Sequence, residues 1–123
     1  MSQNSVSSGV EIKVARDESQ ALVLRLTGAL QGNALSDAEL NLRDLSLRSQ
    51  RPVFFDLSET MSVDEDGVRL LIRLARALHT KHAKLHIVSP NPSVERSLRT
   101  ANLHTLIPMF ANVPQALECL EIA

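Results

Sequence analysis

The chain has 123 residues, a formal net charge of -1, 44% hydrophobic residues and 2% aromatic residues. This length suits a single domain with an apolar core, and the near-neutral charge and scarcity of aromatic rings argue against nucleic-acid binding. No apolar run approaches the roughly 20 residues of a membrane-spanning helix, so we expect no direct membrane insertion. The single cysteine, Cys119, cannot form an internal disulfide, which is typical of a reducing, cytoplasmic setting.

The chain begins with a stretch rich in serine and asparagine. This stretch has no basic cluster followed by an apolar run, so we interpret residues 1–9 as a disordered tail rather than a signal peptide, followed by a single domain over residues 10–123. Apolar and polar residues alternate over 10–14 and again over 22–26, which predicts two half-buried strands. The short polar connection between them predicts an antiparallel hairpin.

The first predicted helix follows this hairpin. Ser36 and Glu39 have the spacing of a capping box, which places the helix start near Ser36. Residues 53–57 are apolar on both sides, as in a central strand covered on both faces. Residues 58–63 are predicted to form a loop. Acidic residues then open a second helix that extends to about Lys81, because negative charge stabilises the positive end of a helix dipole.

Three further signals complete the predicted order. A short strand over 85–88 is followed by Asn91 and Pro92, a cap and a first-turn proline that start a helix. Residues 107–110 suit a short edge strand, and cap spacing at Asn112 starts a final helix. The order predicts an α/β fold with a mixed, mostly parallel sheet of four to five strands, about four helices and an N-terminal antiparallel strand pair.

The order of elements and three groups of short segments resemble the STAS family over about residues 10–120. The segments are Leu26-Thr27-Gly28-Ala29-Leu30; Val53-Phe54-Phe55-Asp56-Leu57-Ser58 with Val63-Asp64-Glu65-Asp66-Gly67; and Leu85-His86-Ile87-Val88 with Pro92-Ser93-Val94, Leu98 and Leu103. The resemblance implies the STAS fold and a domain that binds partner proteins, as the anti-sigma factor antagonists do.

In the antagonist branch of this family, the serine of a D-S-x-G motif is phosphorylated by a kinase that is also the anti-sigma factor, and the phosphate abolishes binding. Asp64 and Gly67 match the motif, and Glu65 occupies the phosphoacceptor position. A phosphoserine carries about -1.5 to -2 charges, so Glu65 is either a permanent mimic of the phosphorylated state or a residue that only stabilises the helix dipole. Ser62, three residues earlier, is an alternative phosphorylation site.

The second helix also predicts a charged surface. At 100° per residue Arg69, Arg73 and Arg76 share one stripe, and Glu65 and Asp66 flank its N-terminal end. We interpret Asp64, Gly67 and Ser62 together with these residues as a partner-binding surface, and a solvated charged face is the alternative. The opposite arc faces the sheet and contains Val68, Leu71, Ile72, Leu74, Ala75 and Leu78, with Leu70 at the boundary.

The expected partner is a protein, namely an anti-sigma factor of the serine-kinase-like ATPase type. The alternative is the ATPase of an ABC-type lipid or anion transport complex with a cytoplasmic STAS subunit. We expect a monomer or weak dimer, no cofactor and no enzymatic activity, because no catalytic motif is present.

Two other patterns are less well supported by the sequence. His79, His82 and His86 invite a zinc site, but no cysteine or carboxylate completes the set. Asp56 ends an apolar strand like the phosphoacceptor of receiver domains. The acids of a receiver site would then fall in a hairpin turn, and Lys84 precedes its strand instead of following one.

Overall fold

The computed structural model describes residues 4–7, 10–18, 21–32, 35–49, 52–80 and 84–122. Within these ranges seven strands and four helices form one α/β unit. In chain order they are β1 (Asn4–Ser7), β2 (Val10–Glu18), β3 (Ala21–Leu30), α1 (Leu35–Ser49), β4 (Val53–Asp56), β5 (Thr60–Val63), α2 (Glu65–His79), β6 (Leu85–Val88), α3 (Pro92–Thr100), a short 3-10 helix (Leu103–Thr105), β7 (Met109–Phe110) and α4 (Val113–Ile122).

The strands form one mixed sheet in the order β1-β2-β3-β4-β6-β7, and β5 also pairs with β3. The β1–β2 and β2–β3 pairs are antiparallel, whereas every other pair in the described sheet is parallel. The predicted fold class, including the antiparallel hairpin, is therefore confirmed. The sheet has more strands than the four to five expected, because β1 and β5 add to it.

Strand β5 lies where the sequence predicts a loop. Strand β3 has ten residues, and its first part pairs with β4 while its end pairs with β5. Beyond β4 the backbone of β3 still needs hydrogen-bond partners, and β5 supplies them. The hydroxyl of Thr60 also donates to the carbonyl oxygen of Leu26 at 2.7 Å, which fixes the start of β5.

Strand β1 lies within the predicted N-terminal tail. Asn4 pairs with Lys13 and Ser7 with Val10, so this segment adds an antiparallel strand to β2. Its sequence, Asn-Ser-Val-Ser, shows no alternating run of apolar residues that would predict a strand, and the pairing uses backbone groups along the edge of β2. Residues 1–3 and 8–9 lie outside the described residues.

The core has two parts, one on each face of the sheet. The larger part is packed between the sheet and helices α1, α2 and α3, and it includes Leu24, Phe55 and Leu74. The smaller part lies under α4, where Ala21, Val23, Phe54, Val88 and Ala116 are buried. Successive residues of one strand point to opposite faces, so Phe54 and Phe55 contribute to different parts.

Two helix starts agree with the sequence predictions, and one predicted helix face is more deeply buried than expected. Asn91 caps α3 by accepting a hydrogen bond from the Val94 amide at 2.9 Å, and Asn112 accepts one from Gln115 at 2.8 Å, as predicted. Leu70, expected at the edge of the buried face of α2, is fully buried. Helix α1 packs alongside α2, and Arg73, which lies three residues beyond Leu70 on the same side of α2, binds Glu39 of α1, so α1 covers that side.

His86 lies in the smaller core, stacked on Phe54 with ring centroids 4.8 Å apart. Burial, with a contribution from the nearby charge of Lys84, lowers the pKa of His86 below its usual value of 6.5. The stability gained from the neutral imidazole is therefore fully present above about pH 6.5 and is lost as the pH falls further. We expect urea unfolding midpoints to decline between about pH 7 and 5. A His86→Phe variant should show a smaller decline, and an equal decline would contradict this origin.

In the described ranges, no helix has both the length and the apolar composition that crossing a membrane requires.

Candidate functional site

Asp64 anchors the start of α2 to the end of β3. Its Oδ1 accepts a hydrogen bond from the Gly67 amide at 2.9 Å, and its Oδ2 accepts one from the Gly32 amide at 3.1 Å. The Asp64 amide in turn donates to the carbonyl oxygen of Leu30 at 3.1 Å. The carboxylate thus satisfies one of the free amides at the helix start and ties the β3–α1 connection to it.

Gly67 allows the first turn of α2 to lie directly against β3. A Cβ atom at this position would stand 2.4 Å from the carbonyl oxygen of Leu30 and 2.8 Å from Cγ1 of Val63. Real Cβ contacts are not this short, so any other residue would push the helix start away. Asp64 and Gly67 therefore have structural functions, and they hold the two residues between them at the surface.

Those two residues, Glu65 and Asp66, form what we call the acidic tip. The side chain of Glu65 is 89% exposed. Arg69 lies one turn further along, with its Nη2 3.6 Å from Oε2 of Glu65 and its Nη1 3.3 Å from Oδ1 of Asp66. Exposed pairs of this kind contribute about 0–1 kcal/mol, so a binding partner could replace them at little cost.

Ser62 and Met61 lie on β5 just before the acidic tip. Both side chains are exposed, and Met61 is 75% exposed, the most of the large apolar residues in the described ranges. Ser62 was predicted from the sequence as part of the partner-binding surface, whereas Met61 was not. In strand β5 Thr60 and Val63 are buried, and the two residues between them are exposed. Because the sequence predicts a loop over these residues, no sequence pattern indicates that Met61 is exposed.

A groove of about 600 Å³ separates the start of α2 from α3. Its α3 side includes Arg96, which no local sequence pattern links to the acidic tip because α3 is distant in the chain. The groove therefore places a second exposed arginine beside Glu65 and Arg69. The lining residues are Val63, Asp64, Glu65, Val68, Arg69, Arg96, Ser97, Thr100 and Ala101.

Arg73 lies on the predicted stripe but is bound to α1. Its guanidinium donates two hydrogen bonds to Glu39, Nε to Oε2 at 2.8 Å and Nη2 to Oε1 at 2.7 Å. Glu39 is only 16% exposed in its side chain, and Arg43 approaches it at 3.8 Å. The predicted capping box is therefore not formed: Ser36 lies inside α1, and the carboxylate of Glu39 pairs with α2 instead.

The Glu39–Arg73 pair should stabilise the packing of α1 on α2. The hydrogen bonds from Arg73 hold the pKa of Glu39 below its usual value of 4.5, despite the opposing effect of burial. This contribution is present above about pH 4.5 and is lost as the pH falls below it. We expect Glu39→Gln to reduce the free energy of unfolding by about 1 kcal/mol at pH 7, measured by urea denaturation. Equal stability of variant and wild type at pH 7 would contradict a stabilising pair.

Arg76 lies at the opposite end of α2 from the acidic tip. It is exposed, and no described residue forms an ion pair or hydrogen bond with its side chain. The structure thus brings Ser62, Asp64, Gly67 and Arg69 together with the acidic tip. Arg73 and Arg76 are not part of that cluster.

The histidines and Asp56 have other environments. Within the described residues, no group of three or more His, Cys, Asp or Glu side chains could hold a metal ion, and His82 lies outside them. Asp56 is nearly buried, with Oδ2 accepting from Nε of Arg25 at 3.2 Å and Oδ1 from the Ser58 amide at 2.9 Å. The antiparallel β2–β3 hairpin also differs from the parallel doubly wound sheet of receiver domains.

Comparison with known proteins identifies related sequences. The STAS domain model matches residues 12–116. A proposed anti-sigma factor antagonist of Thermotoga maritima is 26% identical over 66 residues, covering 54% of this chain and 58% of that protein. The match therefore spans less than two thirds of that relative's length.

Solved structures show the same fold. An anti-sigma factor antagonist from Mycobacterium paratuberculosis aligns with a TM-score of 0.77 at 17% identity, covering 95% of this chain and 98% of that one. The murine Solute Carrier 26 family member A9 anion transporter aligns with a TM-score of 0.68 at 10% identity. That alignment covers 99% of this chain but 22% of the transporter.

Proposed function

The chain belongs to the STAS domain family, and on that basis we propose that it is a non-catalytic interaction domain of the anti-sigma factor antagonist type. It would act in the cytoplasm, as a monomer or weak dimer, within a partner-switching circuit that regulates transcription. The expected partner is an anti-sigma factor of the serine-kinase-like ATPase type. The observation that carries the proposal is the exposed acidic tip held between Asp64 and Gly67.

In this proposal Glu65 supplies a permanent negative charge where related antagonists have a phosphorylatable serine. Asp64 and Gly67 fix the backbone on both sides, so the side chain at position 65 has a defined place on the surface. A carboxylate there has about half the charge of a phosphoserine at neutral pH. The domain would therefore remain in a state like the phosphorylated one and bind a kinase-type partner weakly.

A purely structural function for Glu65 has less support. The cap of α2 is Asp64, which already accepts the hydrogen bond from the Gly67 amide. Glu65 is almost fully exposed, and among the described residues it forms an ion pair with Arg69, at 3.6 Å. Its interaction with the helix dipole is therefore worth at most about 0.3–1 kcal/mol, as for other exposed acids in a first turn.

The test compares wild type with Glu65→Ser in affinity purifications from native cells. We expect Glu65→Ser to recover a serine-kinase-like ATPase that wild type does not recover, because the serine removes the permanent charge. Asp37→Ser is the matched control, since it removes an exposed acid from the first turn of another helix, α1, and should behave like wild type. If wild type and Glu65→Ser recover the same kinase equally, Glu65 is not a phosphorylation mimic.

Ser62 offers a different switch at the same surface. It is exposed on β5, so a kinase could reach its hydroxyl. Mass spectrometry of wild type and Ser62→Ala after co-expression with the recovered kinase would detect phosphorylation of Ser62. A phosphate on wild type that is absent from Ser62→Ala would show that this chain is phosphorylated at position 62 instead of position 65.

A second candidate is a STAS subunit of an ABC-type lipid or anion transport complex. The observation that favours it is the alignment of nearly the whole chain, 99%, with part of an anion transporter. The same affinity purification separates the two candidates. Recovery of an ABC ATPase by both wild type and Glu65→Ser would favour the transport complex over the partner switch.

A further inference from the structure

A second groove lies at the C-terminal end of α2, away from the acidic tip. Arg76 on its rim is eleven residues beyond Glu65, which corresponds to roughly 16 Å along the helix axis. The volume of the groove is about 870 Å³, larger than that of the groove between α2 and α3. The described residues that line it are Ala75, Arg76, His79, Thr80, Lys84, Leu85 and Leu106.

The groove has apolar walls that come from three separate segments. Ala75 belongs to α2, Leu85 to β6, and Leu106 to the connection before β7. Leu106 is 47% exposed, whereas most leucines of the described chain are buried. A single exposed leucine is ordinary, but one placed in a concave apolar surface can contact an apolar side chain of a partner.

The rim of the groove is cationic. Arg76 and Lys84 are exposed, and none of the described lining residues is acidic. Elsewhere on α2, Arg69 and Arg73 are paired with acids, but the side chains of Arg76 and Lys84 have no such partner among the described residues. The helix dipole favours cations near the end of α2, yet it does not account for Lys84 or Leu106, which lie on other segments.

We propose that this groove binds an acidic amphipathic helix from another protein. Apolar side chains spaced at i, i+3, i+4 and i+7 would contact Ala75 and Leu106, and carboxylates would approach Arg76 and Lys84. The exposed side chains of Arg76, Lys84 and Leu106 place both charge and apolar surface within reach of one polypeptide segment. Opposite charge on the two surfaces supplies orientation and speeds association.

The experiment uses two labelled synthetic peptides with the same leucine spacing. One carries glutamate and the other lysine at the remaining positions, and binding to the full chain is measured by fluorescence anisotropy. We expect saturable binding of the glutamate peptide and none of the lysine peptide. Arg76→Glu and Lys84→Glu should each weaken binding about tenfold. Leu106→Ser should weaken it several-fold.

The matched control is Arg96→Glu, which reverses an exposed arginine in the other groove and should leave the affinity unchanged. The proposal is overturned if the glutamate peptide does not bind, if the lysine peptide binds equally, or if Arg96→Glu weakens binding as much as Arg76→Glu. Circular dichroism establishes that the variants are folded. If they are not, a salt titration of wild type decides: affinity that stays constant from about 0.05 M to about 0.5 M salt contradicts a cationic site.

Discussion

Replacing Phe54 by alanine is expected to lower the free energy of unfolding by about 3–5 kcal/mol. Phe54 is fully buried in the smaller core and stacks on His86. Its removal leaves a cavity lined by few other apolar side chains, so side-chain rearrangement can fill little of the lost volume. Because small domains are stable by only about 5–15 kcal/mol, this loss would leave the variant close to unfolding.

Urea denaturation followed by circular dichroism measures this effect. The control is Phe54→Leu, which keeps most of the apolar volume, loses the ring stacking and should cost clearly less than Phe54→Ala. A loss below about 1 kcal/mol for Phe54→Ala would mean that the smaller core contributes little. Helix α4 would then be held by other contacts.

The second large effect is expected from Gly67→Ala. In an ordinary helix this change stabilises by about 0.5–1 kcal/mol, because glycine loses more conformational freedom on folding. Here the new Cβ would collide with the backbone oxygen of Leu30 and with Val63. Overpacking of this kind costs about 1–3 kcal/mol, so the sign should be reversed. The start of α2, and with it the acidic tip, would also be displaced.

Gly32→Ala provides the comparison for Gly67→Ala. Gly32 has φ +68°, and apart from its chain neighbours no atom of the described residues lies within 4 Å of the place that a Cβ would take, so alanine there meets backbone strain but no described collision. We expect a cost of roughly 1–2 kcal/mol from that strain. Thermal or urea denaturation of both variants is the measurement. A Gly67→Ala protein at least as stable as wild type would refute the close approach of α2 to β3.

Patterns that are local in the chain predicted much of the fold. Alternation over 10–14 and 22–26 indicated the β2–β3 hairpin, and the side-chain caps at Asn91 and Asn112 marked the starts of α3 and α4. These signals depend on residues within a few positions of each other. The structure confirms them because nothing distant in the chain competes with them.

The features that sequence patterns missed depend on distant segments. Strand β5 has too few inward-facing residues to show alternation, and its strand structure comes from the edge of β3. Helix α1 covers the side of α2 that carries Leu70, and Glu39 accepts hydrogen bonds from Arg73 of α2 instead of capping α1. Each of these outcomes requires the packing of two elements that are about 30 residues apart in the chain.

The candidate site likewise contains residues that local sequence patterns predicted and residues that only the packing of distant segments brings in. The motif from Asp64 to Gly67 is contiguous, so the resemblance to the STAS family located it directly. Arg96 of α3 lines the groove beside this motif, and Met61 is exposed on β5, which precedes it. Leu106 lines the second groove from the connection before β7. Periodicity within α2 predicted one stripe for Arg69, Arg73 and Arg76. It could not show that Arg73 is already paired with an acid on α1.

The divided edge of β3 gives the domain a fixed corner at the acidic tip. Strand β5 pairs with the end of β3 at three positions, whereas the first part of β3 lies between β2 and β4. The Thr60 hydroxyl and the Asp64 amide bind the two ends of β5 to the carbonyl oxygens of Leu26 and Leu30 on β3. The acidic tip, which follows β5 directly, can therefore move only if these hydrogen bonds break. A partner that binds the tip would meet a preformed surface, so little conformational entropy of this domain would be lost on binding.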